Sequence, residues 1–425
     1  MLLPPFLRFI SLITLCSLTL TACYNNENNQ HENASTGANG IAEELIEINV
    51  SASGELSEDD LSLFAKKLEG ARIVGLGEQT HGAGSVFKLK VQLIKYLHKN
   101  HGYDLFILES GMYDVKKIWQ EVKKGRRLKS LARNNIFYMY ANSNEVTPLF
   151  DYIDQQANSS SPLVLVGFDS QHTGSYSNDN LLDDLQFAVQ KLPEQWHEDA
   201  SWAIFKENLQ QVLNVSTKRL PIKQEQDFFN ELSSIEQSFL KQSQLNTSTN
   251  VIDNNGFWYR ITRGLAAQAK RQWKISDSRS QEMGENIKWW AEQYPNKKIM
   301  VWAHTWHLTK EGSNQINAGK VVSDNFGKDY YMIHFTGASG EYLDFINLKN
   351  RAVAVPNENA IEKIVENNST ANIEFLHVSD IKTNNYESQV FSYDYQETIN
   401  AEQWFKYWDG IFVIKQIEPA TYQTQ

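Results

Sequence analysis

The sequence has 425 residues, of which 41% are hydrophobic, 12% are aromatic and 21% are charged. This length and composition are typical of a globular protein with a large core, and they exclude a fibrous or largely disordered chain. The formal net charge is −11, so an extended nucleic-acid-binding surface is not expected.

The N-terminal residues are typical of a secretion signal and not of a folded domain. An apolar stretch at residues 9–20 follows Arg8 and is too short to span a bilayer comfortably. It ends in Leu-Thr-Ala-Cys at residues 20–23, which resembles the bacterial lipobox; a plain signal peptide cleaved at a small residue is the alternative. We expect residues 1–22 to be removed and Cys23 to carry lipid, which anchors the protein in the bacterial cell envelope, at the periplasmic face or the outer membrane.

This assignment leaves no cysteine for other chemistry. Cys16 would leave with the signal and Cys23 would carry lipid, so no thiol remains for a disulfide, a nucleophile or a zinc site. Residues 23–44 are polar and weakly patterned, which predicts a flexible tether. The chemistry of the remaining domain, residues 45–425, must then depend on histidines, carboxylates and hydroxyls.

Short apolar runs, each bounded by turn or helix signals, predict buried strands of a parallel sheet. They are residues 72–77, 105–108, 163–167, 299–303 and 330–335, with helical patterns between them at residues 87–97 and 112–122. This alternation predicts an α/β fold with a central, mostly parallel sheet flanked by helices. Residues from about 180 to 275 have widely spaced Leu, Phe and Trp in a polar background, which predicts a long helical insertion, either a lid or helical padding.

Acidic residues and histidines follow four of these strands at the point where each strand ends. The four segments are residues 77–82, 109–111, 167–172 and 304–307, and they carry Glu78, His81, Glu109, Asp169, His304 and His307. In open α/β sheets, ligands bind at the carboxyl ends of the strands. We therefore expect these side chains to meet in one site.

Taken separately, the first two segments also permit structural interpretations. Glu78 and His81 are three residues apart and fit a histidine base with an orienting carboxylate. They also fit a polar helix start that is capped by Thr80. Glu109 fits either a site residue or a buried salt-bridge partner of Lys90.

The later segments leave similar alternatives. Imidazoles spaced like His304 and His307 can share a zinc ion with carboxylates, although the His-Glu-x-x-His pattern of zinc proteases is absent from the sequence. Without a metal, the same pair fits a proton donor and an oxyanion stabiliser. Asp169 fits a cap or a hydrogen-bond acceptor better than a direct participant.

The ordered set of motifs resembles the erythromycin esterase family. The resemblance runs from about residue 44 to 345 and is carried by residues 75–82, 87–90, 106–110, 137–152, 167–169, 279–286 and 301–307. It implies a hydrolase that cleaves a small-molecule ester or macrolide lactone without a cofactor. The site residues that it implies are His81 as general base, Glu78, Glu109, His304 and His307 around it, and Lys90, Asp169 and Arg279 in binding roles.

The expected mechanism is direct attack by water. An ester needs a base that titrates near neutral pH, which histidine does without heavy tuning, and no Gly-x-Ser-x-Gly elbow for a serine nucleophile occurs in the sequence. We expect His81 to take the proton from water while a nearby glutamate holds its tautomer. Lys90 or one of the later histidines, in protonated form, would face the oxyanion. Aromatic residues that fit either the walls of an apolar cleft or the ordinary core are Phe137, Tyr138, Tyr140, Trp302 and Trp306.

Two features depart from the family pattern. The family often has Asn after the first histidine of the later pair, where this chain has Thr305 and then the bulky Trp306, so the shape of the pocket is expected to differ. The known macrolide-inactivating esterases also resemble cytoplasmic proteins, so an antibiotic-resistance role is a weaker expectation than an esterase-like reaction. A metal-dependent hydrolase that uses the same cluster and a non-catalytic envelope binding protein are the alternatives.

Overall fold

The computed structural model of the protein describes residues 44–193, 200–244, 254–311, 316–381, 389–392 and 397–422. The expected signal peptide, the lipidated Cys23 and the tether up to residue 43 lie outside these ranges, so they stay predictions. Within these ranges, no helix combines the length and the apolar character that a membrane span requires.

The strands form one large sheet and one small hairpin. In chain order they are β1 Leu45–Ile48, β2 Ile73–Glu78, β3 Leu105–Gly111, β4 Val164–Asp169, β5 Ile299–His304, β6 Tyr330–Leu343, β7 Asn350–Ala352, β8 Ile373–His377, β9 Gln389–Ser392, β10 Glu397–Asn400 and β11 Gly410–Ile417. The strands β11, β6, β2, β5, β3 and β4 lie side by side in that order and are parallel throughout. β8 and β1 extend the β11 edge in antiparallel orientation, β7 pairs with β6, and β9 pairs with β10.

The helices lie between the strands and after them. They are α1 Glu58–Lys67, α2 Gly84–His101, α3 Met112–Lys123, α4 Leu128–Ala132, α5 Tyr138–Asn142, α6 Thr147–Gln156, α7 Ser175–Val189, α8 Ala200–Leu213, α9 Ile222–Ser243, α10 Asn255–Gln272, α11 Arg279–Gln293, α12 Thr305–Leu308, α13 Ala318–Phe326, α14 Ile361–Asn368 and α15 Ala401–Tyr407. Short 3₁₀ turns occur at Gly327–Asp329 and Val378–Asp380. The helices α7 to α10 occupy the predicted insertion.

The predicted α/β fold with a mostly parallel central sheet is confirmed. All the predicted strands are present, and the two helical patterns after β2 and β3 correspond to α2 and α3. The strands outside the predicted set are β1, β7, β8, β9, β10 and β11. Each predicted strand extends one or more residues further than expected at its carboxyl end, and four of them end at Glu78, Gly111, Asp169 and His304.

The central sheet separates two hydrophobic layers. In β5, Ile299 and Val301 contribute to one layer, and Met300 and Trp302 contribute to the other, as the alternation of side chains along a strand requires. The helices α8 to α11 pack in the Ile299 layer, and α2 and α6 pack in the Met300 layer. Because these strands are buried on both faces, they read as continuous apolar runs, and their polar residues collect at the carboxyl ends.

Candidate active site

The loop after β2 places His81 against Glu78. The Nδ1 atom of His81 lies 3.1 Å from Oε1 of Glu78, and His81 is only 7% exposed. Since a carboxylate only accepts hydrogen bonds, Nδ1 carries the proton and Nε2 carries the lone pair in the neutral ring. The alternative interpretation of Thr80 as a helix cap is wrong, because α2 begins at Gly84 and its N-cap residue is Ala83.

The Glu78 carboxylate is fully buried and accepts hydrogen bonds from several donors. Besides His81, these donors are the ammonium of Lys90, the hydroxyl of Tyr140 at 2.6 Å and the indole N–H of Trp302 at 3.3 Å. Burial alone would raise the pKa of Glu78, but the charge of Lys90 and the bond from His81 outweigh it and lower this pKa to about 2. Glu78 is therefore ionised at neutral pH and can orient His81, but it cannot take up a proton there.

Lys90 lies beneath the site and has no exposed surface. Its ammonium bonds to Glu78 and, at 2.8 Å, to the carbonyl oxygen of Leu76. Burial lowers the pKa of Lys90 to about 8, against the opposing effect of the Glu78 charge. Lys90 thus forms its ion pair with Glu78 and not with Glu109, and this position fits support of Glu78 better than contact with an oxyanion.

The second histidine loop packs against the first. The ring centroids of His304 and His81 are 5.2 Å apart. The Nε2 atom of His304 lies 2.7 Å from the carbonyl oxygen of Gln79, and its Nδ1 accepts from the backbone N–H of Trp306 at 3.3 Å, which caps α12. Because both ring nitrogens have backbone partners, His304 joins the β2 and β5 loops beside His81.

Glu109 joins the two histidine loops to an arginine. Its Oε2 accepts from the backbone N–H of His304 at 2.8 Å, and its Oε1 lies 3.4 Å from Nε2 of His307 and 3.5 Å from Nη2 of Arg279. Arg279 is the first residue of α11 and donates two bonds to Asp169, at 2.6 and 3.0 Å. The four strand-end segments therefore meet, and the start of α11 joins them.

The charges around His307 keep its ring neutral. Burial and the positive charge of Arg279 hold the pKa of His307 well below its usual range. Its Nδ1 lies 3.0 Å from the hydroxyl oxygen of Ser280. Burial would lower the pKa of Arg279, but the charge of Asp169 raises it, so the guanidinium stays charged. At neutral pH, His307 faces the site as a neutral ring and not as the imidazolium that the sequence interpretation proposed.

The possibility of a metal site can be tested on the geometry of the donors. A structural or catalytic zinc needs three or more His, Cys, Asp or Glu ligands around one point. No such group occurs among the residues that the structure describes. His304 and His307, the pair at metal-like spacing, have the backbone of Gln79 and Trp306 and the hydroxyl of Ser280 as neighbours instead.

Aromatic rings surround the exposed part of His81. Phe137 and Phe345 meet the imidazole edge-on, with centroids 4.9 and 5.1 Å away, and Tyr140 lies at 5.8 Å. The hydroxyl of Tyr138 donates to the carbonyl oxygen of Phe345 and links the two loops that carry Phe137 and Phe345. Phe345 lies outside the predicted aromatic set, because it follows a strand that carries no motif.

His334 lies behind the site and links its loops. Its Nδ1 lies 2.9 Å from the hydroxyl oxygen of Thr305, and its Nε2 lies 2.7 Å from the amide nitrogen of Gln79. The ring stacks on Trp408 with centroids 3.9 Å apart. Burial holds the pKa of His334 well below its usual range, so it acts as a neutral bridge.

The C-terminal residues 418–422 form a strap across the first histidine loop. The backbone N–H of Ala420 donates to the carbonyl of Gly82 at 2.8 Å, and Leu343 donates to the same oxygen at 3.0 Å. A side chain at Gly82 would meet the backbone of Leu343 at 1.6 Å, so glycine is required there. Thr421 donates from its hydroxyl, at 2.7 Å, and from its backbone N–H to the carboxylate of Glu145. Sequence reasoning missed this strap, since it carries no motif.

Comparison with known proteins identifies related sequences. The family model described as erythromycin esterase matches residues 98–407, a segment that contains Glu109, Asp169, Arg279 and both later histidines but begins after His81. The chain is also 27% identical over 405 residues to the protein of Bacillus subtilis (strain 168) named "Putative hydrolase YbfO". That alignment covers 86% of this chain and 88% of YbfO.

Solved structures resemble the fold at low sequence identity. A Bacillus cereus protein has a TM-score of 0.71 at 18% identity and covers 92% of this chain and 100% of its own. A succinoglycan biosynthesis protein has a TM-score of 0.67 at 16% identity, over 93% of this chain and 100% of its own. A mutant of the erythromycin esterase EreC in its open conformation has a TM-score of 0.62 at 17% identity, over 86% and 95%. These likenesses concern the fold alone.

Proposed function

Since this chain is a hydrolase that belongs to the erythromycin esterase family, we propose that it cleaves an ester or macrolide lactone by attack of water activated by His81. The class of reaction follows from the family. The ester or lactone bond and the role of His81 are the proposal, and they are supported by the arrangement of the site.

The observation that carries the proposal is the contact between His81 Nδ1 and the ionised Glu78. It fixes the tautomer in which Nε2 can accept a proton. In the proposed step, Nε2 takes a proton from water while the water oxygen forms a bond to the carbonyl carbon. Collapse of the tetrahedral intermediate breaks the bond to the alkoxide, which takes the proton back from His81, so that a carboxylic acid and an alcohol are released.

The oxyanion of this intermediate needs a positive or hydrogen-bonding group. Arg279 keeps its charge and its side chain is 19% exposed, whereas Lys90 is fully buried. Glu109 connects Arg279 to the backbone of His304, whose ring lies beside His81. We therefore assign oxyanion stabilisation to Arg279, with the neutral His307 as a further donor, in place of Lys90.

A substrate screen tests the proposed reaction. The domain from residue 45 onward would be incubated with chromogenic esters, lactones and macrolides, and the products identified by mass spectrometry. For at least one of these classes of compound, we expect products in which one water has been added across the ester or lactone bond. Tight binding without turnover across all classes would contradict the proposal and favour a binding protein. Loss of turnover on chelation, together with a stoichiometric metal ion in the native protein, would favour the metal-dependent alternative.

We also propose that the full chain is anchored in the bacterial envelope through lipid on Cys23. The support is the sequence of residues 20–23 and the polar tether that follows. Fractionation of cells that express the full chain should place the protein in the membrane fraction. The Cys23→Ala variant should instead be lost from the membrane fraction. A variant that stays in the membrane fraction would contradict lipidation at this residue.

A further inference from the structure

Tyr140 touches both members of the proposed base pair. Its hydroxyl oxygen lies 2.6 Å from Oε1 of Glu78 and 3.2 Å from Nδ1 of His81. The carboxylate of Glu78 can only accept, so the hydroxyl donates to it. The side chain is fully buried and its ring packs against Phe137 and Trp302, with centroids 5.3 and 5.5 Å away.

The hydroxyl of Tyr140 stays protonated at any pH at which the protein works. Burial and the negative charges of Glu78 and Glu109 raise the pKa of Tyr140 well above its usual range. Tyr140 is therefore a permanent donor between two carboxylates, and its proton partly offsets the charge of Glu78 that faces His81.

We infer that Tyr140 is a positioning residue that sets, through Glu78, how readily His81 takes up a proton. The inference rests on the proposed function of His81. The same Oε1 atom of Glu78 accepts from Tyr140 and from His81, so the two donors compete for the negative charge on one oxygen atom. When the Tyr140 donor is removed, this charge acts more strongly on His81 and stabilises its protonated form.

Other charged or titratable groups face the same pair, and a test must leave them unchanged. Lys90 bonds to Glu78 from α2, Glu109 lies on β3 near Tyr140, and His304 and His307 come from the end of β5. The Tyr140→Phe variant keeps the ring and every one of these groups, and it removes only the hydroxyl.

The inference is tested by ¹⁵N NMR of the histidine rings, which needs no substrate. The His81 signals are assigned by their loss in His81→Ala, and their titration is followed in the wild type and in Tyr140→Phe. We expect the midpoint to move to higher pH, because the charge of Glu78 then acts more strongly on His81. Where a hydrolysed ester is available, the acidic limb of the kcat/KM profile should move by the same amount.

Tyr103→Phe is the matched control, because Tyr103 is also buried and its hydroxyl donates to a backbone carbonyl, that of Ala71, at 2.9 Å. This control should leave the His81 titration unchanged. If Tyr140→Phe does not fold, 3-fluorotyrosine at position 140 keeps the packing and donates more strongly, so the midpoint should move to lower pH.

A His81 titration that is unchanged in Tyr140→Phe, or unchanged on fluorination where that variant does not fold, would overturn the inference. Failure of the proposed function has a different signature, which is turnover of a water-cleaved ester at the wild-type rate by His81→Ala. A shifted titration combined with that result would retain the Tyr140 effect and reject the role of His81 in hydrolysis.

Discussion

The two sides of the site differ in how deeply their charges are buried. On the base side, formed by Glu78, His81 and Lys90, the ion pair of Glu78 and Lys90 has no exposed surface. On the guanidinium side, formed by Glu109, Asp169 and Arg279, the side chain of Arg279 is 19% exposed. A buried ion pair can hold one tautomer of the base, because water does not compete with His81 for the buried carboxylate of Glu78. A partly exposed guanidinium can meet a charge that develops on a substrate.

This difference predicts that substitutions on the base side damage both stability and turnover, whereas substitutions on the guanidinium side damage mainly turnover. Breaking a buried ion pair leaves the remaining charge without a partner, which is strongly destabilising. The pair of Arg279 and Asp169 keeps 19% and 11% of its side-chain surface exposed, so breaking it should cost less than breaking the fully buried pair of Glu78 and Lys90.

The largest effect is expected for Glu78→Gln. The variant leaves the buried Lys90 without its counter-ion and should lose about 3–5 kcal/mol of unfolding free energy. It also removes the carboxylate that holds His81, so turnover should fall by about 10²–10⁴-fold. Urea unfolding and product analysis measure the two effects. The control is Glu121→Gln on α3, where the partner Lys124 is largely exposed and little change is expected. Wild-type stability in Glu78→Gln would contradict the contrast between the sides.

A smaller loss of stability is expected for Arg279→Met. Turnover should fall by about 10²–10³-fold because the proposed oxyanion donor is gone, while unfolding should change by only about 1–3 kcal/mol. Arg219→Met is the matched control, since Arg219 pairs with Glu225 in the helical insertion. If Arg279→Met kept full turnover, the assignment of the oxyanion to this side would fail.

The base side should also show a defined dependence of stability on pH. The pKa of Glu78 falls from 4.5 to about 2 in the folded protein. A depressed carboxyl pKa stabilises the fold above the unfolded value, and this contribution is lost as the pH falls through the folded value. The difference in unfolding free energy between wild type and Glu78→Gln should therefore shrink as the pH falls from 4.5 to 2. A difference that grew on acidification would be the opposite of this expectation.

The smallest effect is expected for Thr421→Val in the C-terminal strap. The variant removes the hydroxyl that donates to Glu145 at 2.7 Å but keeps the backbone bonds of the strap to Gly82 and Glu145. We expect a loss of about 1 kcal/mol in unfolding free energy and at most a small change in turnover. Calorimetry of the variant measures the first, and a loss comparable with that of Glu78→Gln would show that the strap matters far more than its contacts indicate.

Much of the fold and the location of the site follow from the sequence. The parallel strands are buried on both faces, so apolar runs such as residues 299–303 stand out, and the polar residues after them mark one edge of the sheet. The strand β11 contains an apolar run of the same kind, Ile-Phe-Val-Ile at residues 411–414, so its signal was present in the sequence. The antiparallel strands β1 and β8 are short and carry no comparable run.

The pairing of side chains within the site could not be predicted from the sequence. Glu78 and Glu109 end strands on either side of β5, so both were reasonable partners for Lys90, and only the packing of α2 decides for Glu78. Tyr140 and Glu78 are 62 positions apart in the sequence, and a contact between such distant residues leaves no periodic pattern of residue types. Phe345 and the strap follow strands without any motif, so their approach to His81 depends on tertiary structure alone.

The measurement that tests the central claim most directly is the turnover of His81→Ala on an ester or lactone that the wild type cleaves. We predict a fall of about 10²–10⁴-fold, because the variant lacks the proposed general base. His377→Ala, at the end of β8 and outside the site, is the matched control and should retain wild-type turnover. Turnover at the wild-type rate in His81→Ala would contradict the account.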